Sequence, residues 1–288
     1  MNRKKYILKN QDSFELKDIF ECGQCFRWDI QDDGSYTGVF GKNVLNVKKE
    51  QEEIAFEGVC EQDIEKTVND YFDLNRNYQE IKQKLSLIDE NMKKSIQYGK
   101  GIRILNQDLW ETIISFIISA NNNIPRIKQI IERISQRYGE KIIWKDKVYY
   151  TFPTAEQLKN VTIEEYRKLG LGFRDIRVYE TTQMVLNKKV DLDKLQKNQN
   201  TLEVREELLK LSGVGTKVAD CILLFSNLKR FEVFPIDVWV RRVINDLYIH
   251  NKEENKVSKK QIENISKEKF GQLAGIAQQY LFYWRRGA

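Results

Sequence analysis

The chain has 288 residues, which is enough for one large domain or two fused domains with a sizeable core. Its composition, 41% hydrophobic and 31% charged with a mean hydropathy of −0.58, excludes a membrane protein, because two serines interrupt the longest apolar stretch, residues 113–120. The net charge of +6 divides into −3 for residues 1–100 and +9 for residues 101–288, so the second part suits a polyanionic partner.

The amino-terminal segment, residues 1–10, is basic but leads into no apolar run, so we expect no secretory signal and a cytoplasmic protein, associated with the nucleoid if the source is prokaryotic. The four cysteines are too few and too scattered for a disulfide scaffold, and we expect free thiols. Cys22 and Cys25 have the spacing of a zinc or redox site. No second such pair and no histidine cluster accompanies them, so we favour two ordinary cysteines near a strand and predict no metal site there.

The next segment predicts an antiparallel sheet. Residues 26–30 and 36–40 flank a turn at residues 32–35, and residues 43–49 and 53–59 continue with short, partly alternating runs. Helical spacing follows over two stretches, residues 62–72 and 78–98. We therefore expect residues 1–100 to form a β-sheet domain with helices packed nearby.

From Gly101 onward the pattern predicts an all-helical domain, residues 101–288. Breaks fall at residues 121–123, Gly139, residues 170–172 and 213–215, Pro235 and Gly271. No linker rich in serine or glycine separates the two parts, so we expect them to pack closely in an α+β monomer.

A tight turn at residues 212–216 joins two helical segments. Gly213 and Gly215 allow positive φ and close approach of the backbone to another group, and the following helix begins with unpaired N–H donors. Such donors bind a phosphate whatever the DNA sequence. The alternative is a plain turn between helices.

Lys217, in the first turn of the following helix, and Asp237 are the candidates for covalent chemistry. An amine can attack an electrophilic carbon and form a Schiff base, and a nearby carboxylate stabilises the positive charge that develops. The helix N-terminus and burial are expected to lower the pKa of Lys217. An exposed lysine and a simple helix cap at Asp237 are the alternatives. With His250 as the single histidine and no phosphate-binding loop of the ATPase type, other hydrolytic routes are disfavoured.

The run Leu-x-Gly-Val-Gly-x-Lys-x-Ala from Leu211, followed by Pro235-Ile-Asp237, resembles the helix-hairpin-helix glycosylase superfamily. Its endonuclease III and adenine glycosylase branches carry four cysteines near the C-terminus for an iron–sulfur cluster, but this chain has none after Cys221. Monofunctional alkyl-base glycosylases lack the lysine, whereas this chain resembles 8-oxoguanine DNA glycosylases over nearly its full length. That resemblance implies excision with an associated β-elimination, no iron–sulfur cluster and no cofactor in catalysis. It also implies a structural monovalent cation at the hairpin carbonyls, and duplex DNA with 8-oxoguanine opposite cytosine as the partner.

The resemblance also implies a pocket for the extruded base. The run Gly-Gln-x-Phe-Arg-Trp at residues 23–28 is similar to a family strand in which the Gly23 carbonyl accepts the N7–H of oxidised guanine. Cys221 and Phe282 are assigned to the two faces of the base, and Gln278 to its edge. Each has an ordinary structural alternative: a glycine that relieves crowding, a buried helical cysteine and a core phenylalanine on an amphipathic helix.

Residues 119–126 are similar to a family loop in which Asn121 fills the gap left by the base and Arg126 reads the estranged cytosine; three asparagines also suit a capping turn. Residues 169–174 resemble a turn that carries an aromatic wedge, Phe173, and a second cytosine reader, Arg174. The remaining residues assigned to DNA contact are Asn122, Gly213, Gly215, Val218 and Trp239.

Three positions depart from the family pattern, and two rival functions stay open. Phe173 stands where many relatives have tyrosine, Ser212 where a proline is common, and Trp239 where many have histidine. One rival is a glycosylase for another damaged purine on the same scaffold. The other is a non-catalytic DNA-binding module, in which Lys217 only touches a phosphate and arginine at 217 keeps function.

Overall fold

The computed structural model describes residues 3–9, 11–253 and 256–287. The predicted α+β fold is confirmed: an antiparallel sheet of five strands, in the order β1-β5-β4-β3-β2, precedes a larger helical part. The strands of this sheet are β1 (Arg3–Lys9), β2 (Trp28–Ile30), β3 (Tyr36–Phe40), β4 (Asn43–Glu50) and β5 (Glu53–Val59).

The predicted hairpin between β2 and β3 is confirmed, with Trp28 opposite Gly38 and the chain reversing over residues 31–35. β2 begins at Trp28, so residues 26 and 27 lie in the loop that precedes it. The edge strand β1 was not predicted from the basic segment that contains it. It pairs with β5 along its whole length, and the exposed Lys5, Ile7 and Lys9 alternate with Tyr6 and Leu8, which pack against the amino-terminal core.

Helices surround the sheet and build the second part. The predicted helix over residues 78–98 is two helices, because Leu87 ends the first and the Asp89 carboxylate caps the second by accepting from the Met92 amide. The helices are α1 (Leu16–Phe20), α2 (Ile64–Tyr71), α3 (Tyr78–Ser86), α4 (Glu90–Tyr98), α5 (Leu109–Ser119), α6 (Ile124–Tyr138), α7 (Ile163–Lys168), α8 (Asp175–Leu186), α9 (Leu192–Lys197), α10 (Thr201–Leu209), α11 (Thr216–Phe225), α12 (Val238–Ile244), α13 (Lys259–Phe270) and α14 (Ala274–Gly287). Short 3-10 turns at Gly172–Arg174 and Gly271–Leu273 precede α8 and α14, and a π-helical turn, Asn245–Ile249, follows α12.

The prediction of an all-helical second part is wrong at one place, where β6 (Lys141–Trp144) and β7 (Lys147–Tyr150) form a hairpin. Lys145 and Asp146 both have positive φ, as the tight turn of a two-residue hairpin requires. Ile142 and Trp144 pack with three valines of the main sheet, so the hairpin covers one face of that sheet. Tertiary burial of this apolar face selects strands over helix here.

The two parts pack closely, as predicted. Gln24 lies fully buried between them: its side-chain amide donates to the carbonyls of Ile19 and Arg103, at 2.8 and 2.7 Å, and accepts from the Leu105 amide at 2.9 Å. From the other side, Tyr283 of α14 donates to Asp18 at 3.1 Å. The loop between α1 and β2 is therefore fixed against the helical part.

All four cysteines are buried free thiols, as predicted. Across the described ranges, no cluster of histidine, cysteine and carboxylate side chains could hold a metal ion, and no helix is long and apolar enough to cross a membrane.

Candidate active site

The turn before α11 contains two glycines, and the backbone of the free protein requires glycine at only one of them. Gly213 has φ of +81°, and a Cβ there would lie 2.8 Å from the Arg177 Cδ. Gly215 has an extended backbone that any residue adopts, and a Cβ there would meet nothing within 4 Å. Gly215 is also the N-cap of α11 and offers no side chain to its first amides. The outer side of this turn is therefore open for close approach to the helix N-terminus.

Lys217 lies in the first turn of α11, half-buried, with its amine 5.5 Å from the centre of the Phe116 ring. One turn later Cys221, which is buried, interacts with the lysine through its side chain. The predicted face that carries both residues is confirmed. The lysine is thus held between an aromatic ring and a thiol.

The predicted lowering of the Lys217 pKa is wrong for the free protein. The pKa of Lys217 is raised, mainly by the Cys221 sulfur; burial acts in the opposite direction and the Asp237 carboxylate raises it further. Burial raises the pKa of the Cys221 thiol to about 11, and the neighbouring Lys217 amine acts on it in the opposite direction. The Cys221 sulfur and the Asp237 carboxylate together outweigh the effect of burial on the Lys217 amine.

Asp237 caps α12, since its Oδ1 accepts from the Val240 amide at 2.7 Å. This is the structural alternative that the sequence left open, and it coexists with the electrostatic contact to Lys217. The cap fixes the carboxylate and leaves it only half-buried. A carboxylate so held can face positive charge without reorganising.

A second lysine, Lys229, has a lowered pKa but lies in a different environment. Burial lowers the pKa of Lys229 to about 7. Its amine, however, donates to the Ile104 carbonyl and lies 3.5 Å from Asp73, in the packing between the two parts of the chain. It is separated from the open turn at Gly215.

The structure brings Gly23 and Phe282 together from opposite ends of the chain. A Cβ on Gly23, which has φ of +88°, would lie 3.8 Å from the Phe282 ring. Gln279 holds the loop by donating to the Cys22 carbonyl at 2.6 Å. The neighbouring Gln278 is buried, and its Oε1 has no hydrogen-bond partner among the described residues.

Phe116 links this loop to the lysine. Its ring makes an edge contact with Phe26, at 5.6 Å between centres, on the loop that begins near Gly23, and it also lies beside the Lys217 amine. The sequence does not distinguish Phe116, Gln24 or Gln279 as site residues. A buried apolar helix such as α5 gives no sign of which side chain faces a cleft, and Gln279 differs from Gln278 only in the helix face it occupies.

The three asparagines after α5 have separate tasks. Asn123 caps α6 by accepting from the Arg126 amide, and Asn122 donates to the Ile118 carbonyl at 3.1 Å. Asn121 is exposed, with φ of +50°, and its side chain is not engaged in these contacts. The capping alternative thus accounts for Asn123, and Asn122 bonds back to α5, while Asn121 remains exposed in a left-handed backbone conformation.

The two arginines assigned to cytosine differ in exposure and in how firmly hydrogen bonds hold them. Arg126 is exposed and makes one long contact, 3.4 Å, to the Gly170 carbonyl. Arg174 is 2% exposed and donates to the carbonyls of Ala120, Asn121 and Leu171. In the free protein it therefore holds the asparagine turn in place, which the sequence did not predict. Its guanidinium also lies 4.2 Å from the centre of the Phe173 ring.

Two other assigned residues lie at the surface and one does not. Phe173 is 53% exposed and Trp239 is 39% exposed, so both rings are available to a partner. The Val218 side chain is buried in the helical core, so only its main-chain amide, in the first turn of α11, can approach a phosphate. Ser212, in place of proline, donates to Glu180 at 2.5 Å, which ties the turn to α8.

Comparison with known proteins matches both parts of the chain. Residues 6–113 match the family described as 8-oxoguanine DNA glycosylase, N-terminal domain, and residues 114–272 match the HhH-GPD superfamily base excision DNA repair proteins. An N-glycosylase/DNA lyase of Saccharomyces cerevisiae is 33% identical over 259 residues, which are 81% of this chain and 68% of the yeast protein.

Solved structures agree along the whole chain. The apo form of the Clostridium acetobutylicum 8-oxoguanine glycosylase/lyase is 44% identical, with a TM-score of 0.91 over 98% of each chain. The same enzyme in complex with double-stranded DNA containing cytosine opposite 8-oxoguanine is 43% identical, with a TM-score of 0.92 over 100% of this chain and 98% of that one.

Proposed function

Because this chain belongs to the 8-oxoguanine glycosylase/lyase family of HhH-GPD base-excision-repair proteins, we propose that Lys217 is the amine with which it removes 8-oxoguanine from duplex DNA. The enzyme is a bifunctional N-glycosylase and DNA lyase. The observation that carries the residue assignment is the open glycine turn that places the Lys217 amine beside Phe116, Cys221 and Asp237.

The partner is duplex DNA with 8-oxoguanine opposite cytosine, which the complex of the Clostridium enzyme supports. The amides at the start of α11, that of Val218 included, bind a backbone phosphate at the turn. Asn121 fills the space of the extruded base, Arg126 reads the cytosine, and the exposed Phe173 and Trp239 rings contact the duplex. Arg174 already donates to the Ala120 carbonyl, so it contacts the cytosine only through a guanidinium N–H that is not used there.

The extruded base lies between the Gly23 loop and α14. The Gly23 carbonyl accepts the N7–H that distinguishes oxidised guanine, Phe282 stacks on one face, and Cys221 lies on the other. The unpartnered Oε1 of Gln278 supplies an acceptor for the N–H groups on the base edge. Extrusion costs a few kcal/mol, roughly, which stacking in the pocket offsets.

The chemistry then follows in balanced steps. The Lys217 nitrogen forms a bond to C1′ while the bond from C1′ to N9 breaks, and the base leaves with that electron pair and takes up a proton. Asp237 stabilises the positive charge that develops on the sugar. The C1′ adduct opens to a Schiff base, and loss of a C2′ proton expels the 3′ phosphate as the β-elimination product. Hydrolysis of the Schiff base returns the lysine.

Lys217 must lose its proton before it attacks. Since the Cys221 sulfur and the Asp237 carboxylate hold the pKa of Lys217 above its ordinary value, the free amine is a minority species near neutral pH. The excision rate is therefore expected to rise with pH until the lysine has titrated.

The family requires no cofactor for this chemistry. We also propose that the enzyme carries no iron–sulfur cluster, since no cysteine follows Cys221, and that a monovalent cation binds to carbonyls of the hairpin before α11. The ligands of this cation would be main-chain carbonyl oxygens of the hairpin. One of them is the Ser212 carbonyl, which already accepts from the Thr181 hydroxyl at 2.9 Å. Neutral oxygens suit a cation of low charge.

The test is Lys217→Arg and Lys217→Gln, assayed on duplex containing 8-oxoguanine opposite cytosine. Both variants should lose base release and strand cleavage by about a thousandfold or more, as loss of a covalent nucleophile does, while they still bind the DNA. Lys194→Arg, on the exposed surface of α9, is the matched control and should keep wild-type rates. Full activity of Lys217→Arg would overturn the proposal in favour of a DNA contact at Lys217.

A further inference from the structure

The face of α14 that carries Gln278 and Phe282 continues to Arg286, since the three residues are spaced four apart. A Cβ on Gly23 would lie 3.8 Å from an Nη1 nitrogen of Arg286, the same distance as from the Phe282 ring. The Arg286 guanidinium lies 6.0 Å from the centre of that ring. Arg286 therefore lies beside Gly23 and Phe282, at the site that the proposed function assigns to the base.

The neighbouring Arg285 has a different role. Its guanidinium pairs with Asp246, and it lies 5.6 Å from the Trp284 ring centre. Arg286 is exposed, and its contacts among the described residues are the Phe282 ring and the Gly23 loop. Two adjacent arginines thus point to different parts of the surface, and only one points to the pocket.

The chemistry of the base identifies what a donor beside Gly23 meets. If the Gly23 carbonyl accepts N7–H, the two carbonyl oxygens that flank N7, O6 and O8, lie on either side of that hydrogen bond. Both are acceptors, and a guanidinium has only donors to offer. Ordinary guanine presents a lone pair at N7 to the Gly23 carbonyl, so the same pocket repels it.

We propose that Arg286 is a specificity residue that donates a hydrogen bond to O6 or O8 of the extruded 8-oxoguanine. The proposal rests on the proposed function, because it takes the pocket at Gly23 and Phe282 as the base site. It adds a charged donor beside the Gly23 carbonyl and the Gln278 amide.

The experiment compares two reactions of the same enzyme under single-turnover conditions. One substrate is duplex with 8-oxoguanine opposite cytosine; the other carries a preformed abasic site opposite cytosine, which needs lyase chemistry and has no base to recognise. Arg286→Gln should slow base excision roughly tenfold or more, the effect of losing a hydrogen bond from a charged donor, and leave cleavage of the abasic site within about twofold. Arg285→Gln, the matched control, should change neither.

Unchanged excision by Arg286→Gln would overturn the proposal. Equal losses on both substrates would also overturn it, because they indicate a phosphate contact or a folding defect. Duplex with 8-oxoadenine, which keeps O8 and N7–H but has an amine in place of O6, separates the acceptors: a loss on both oxidised purines assigns O8, and a loss on 8-oxoguanine alone assigns O6. A wild-type enzyme inactive on both of the first two substrates would instead refute the proposed function.

Discussion

Gly213→Ala and Gly215→Ala should differ in their effects on stability and on DNA binding, although only Val214 separates the two glycines. Gly215 has extended backbone geometry, and a methyl group there meets no heavy atom within 4 Å. Gly213 has φ of +81°, and its methyl group would lie 2.8 Å from the Arg177 Cδ. The free protein therefore requires glycine at 213 only.

The magnitudes follow from these geometries. Gly213→Ala should lower the free energy of unfolding by about 1–2 kcal/mol for the left-handed backbone, and by more if Arg177 cannot move away. Gly215→Ala should change it little, because the roughly 0.4–1 kcal/mol gained from a less flexible unfolded chain is opposed by the preference for glycine over alanine at an N-cap. If the α11 amides bind a phosphate, however, the same methyl group obstructs it. Loss of one hydrogen bond to a charged phosphate should weaken DNA binding by about tenfold or more.

Two measurements on each variant decide the matter. Thermal unfolding of the free proteins reports stability, and fluorescence anisotropy with labelled duplex in a Lys217→Gln background reports binding without turnover. We expect normal stability with weakened binding for Gly215→Ala, and reduced stability for Gly213→Ala. Wild-type binding by Gly215→Ala would refute a phosphate contact at this turn, and marked destabilisation of the same variant would refute the open geometry.

Three further predictions concern the charge, the pocket and the packing. Asp237→Asn should lower the maximal excision rate and move the rising limb of the pH–rate profile to lower pH, because the carboxylate raises the pKa of Lys217; a profile that stays in place contradicts the assigned coupling. Gly23→Ala should slow excision of 8-oxoguanine more than cleavage of abasic sites, since its methyl group enters the pocket 3.8 Å from Phe282; equal effects on both would argue against a base contact. Gln24→Leu should lower the thermal midpoint, because it leaves the Leu105 amide and the Ile19 and Arg103 carbonyls without their buried partner, at roughly 1–3 kcal/mol for each group that stays unpaired; an unchanged midpoint would mean that water replaces the amide.

The sequence predicted the architecture because its signals are local. The hairpin at residues 31–35, the breaks between helices and the glycine turn before Lys217 each depend on a few neighbouring residues. The hairpin at residues 141–150 was missed because its apolar face is stabilised by valines of the distant main sheet. Such burial cannot be read from a short window.

The features of the active site likewise divide into those that the sequence predicts and those that depend on the fold. The spacing of Lys217 and Cys221 on one helix face follows from helix geometry alone. The direction of the Lys217 pKa shift does not, because it depends on the balance between the Cys221 sulfur, the burial of the amine and the Asp237 carboxylate. Arg174 shows the same limit: its motif position is clear, but its donors bind carbonyls contributed by another turn. The contact of Arg286 with Gly23 joins residues from the two ends of the chain.

Reduction of the covalent reaction intermediate tests directly whether Lys217 is the nucleophile. The enzyme is incubated with duplex containing 8-oxoguanine opposite cytosine, borohydride is added, and the DNA-linked peptide is identified by mass spectrometry. We predict one adduct on the Lys217 nitrogen, and none on Lys229 despite its pKa of about 7. No adduct, or an adduct on any other lysine, would contradict this prediction.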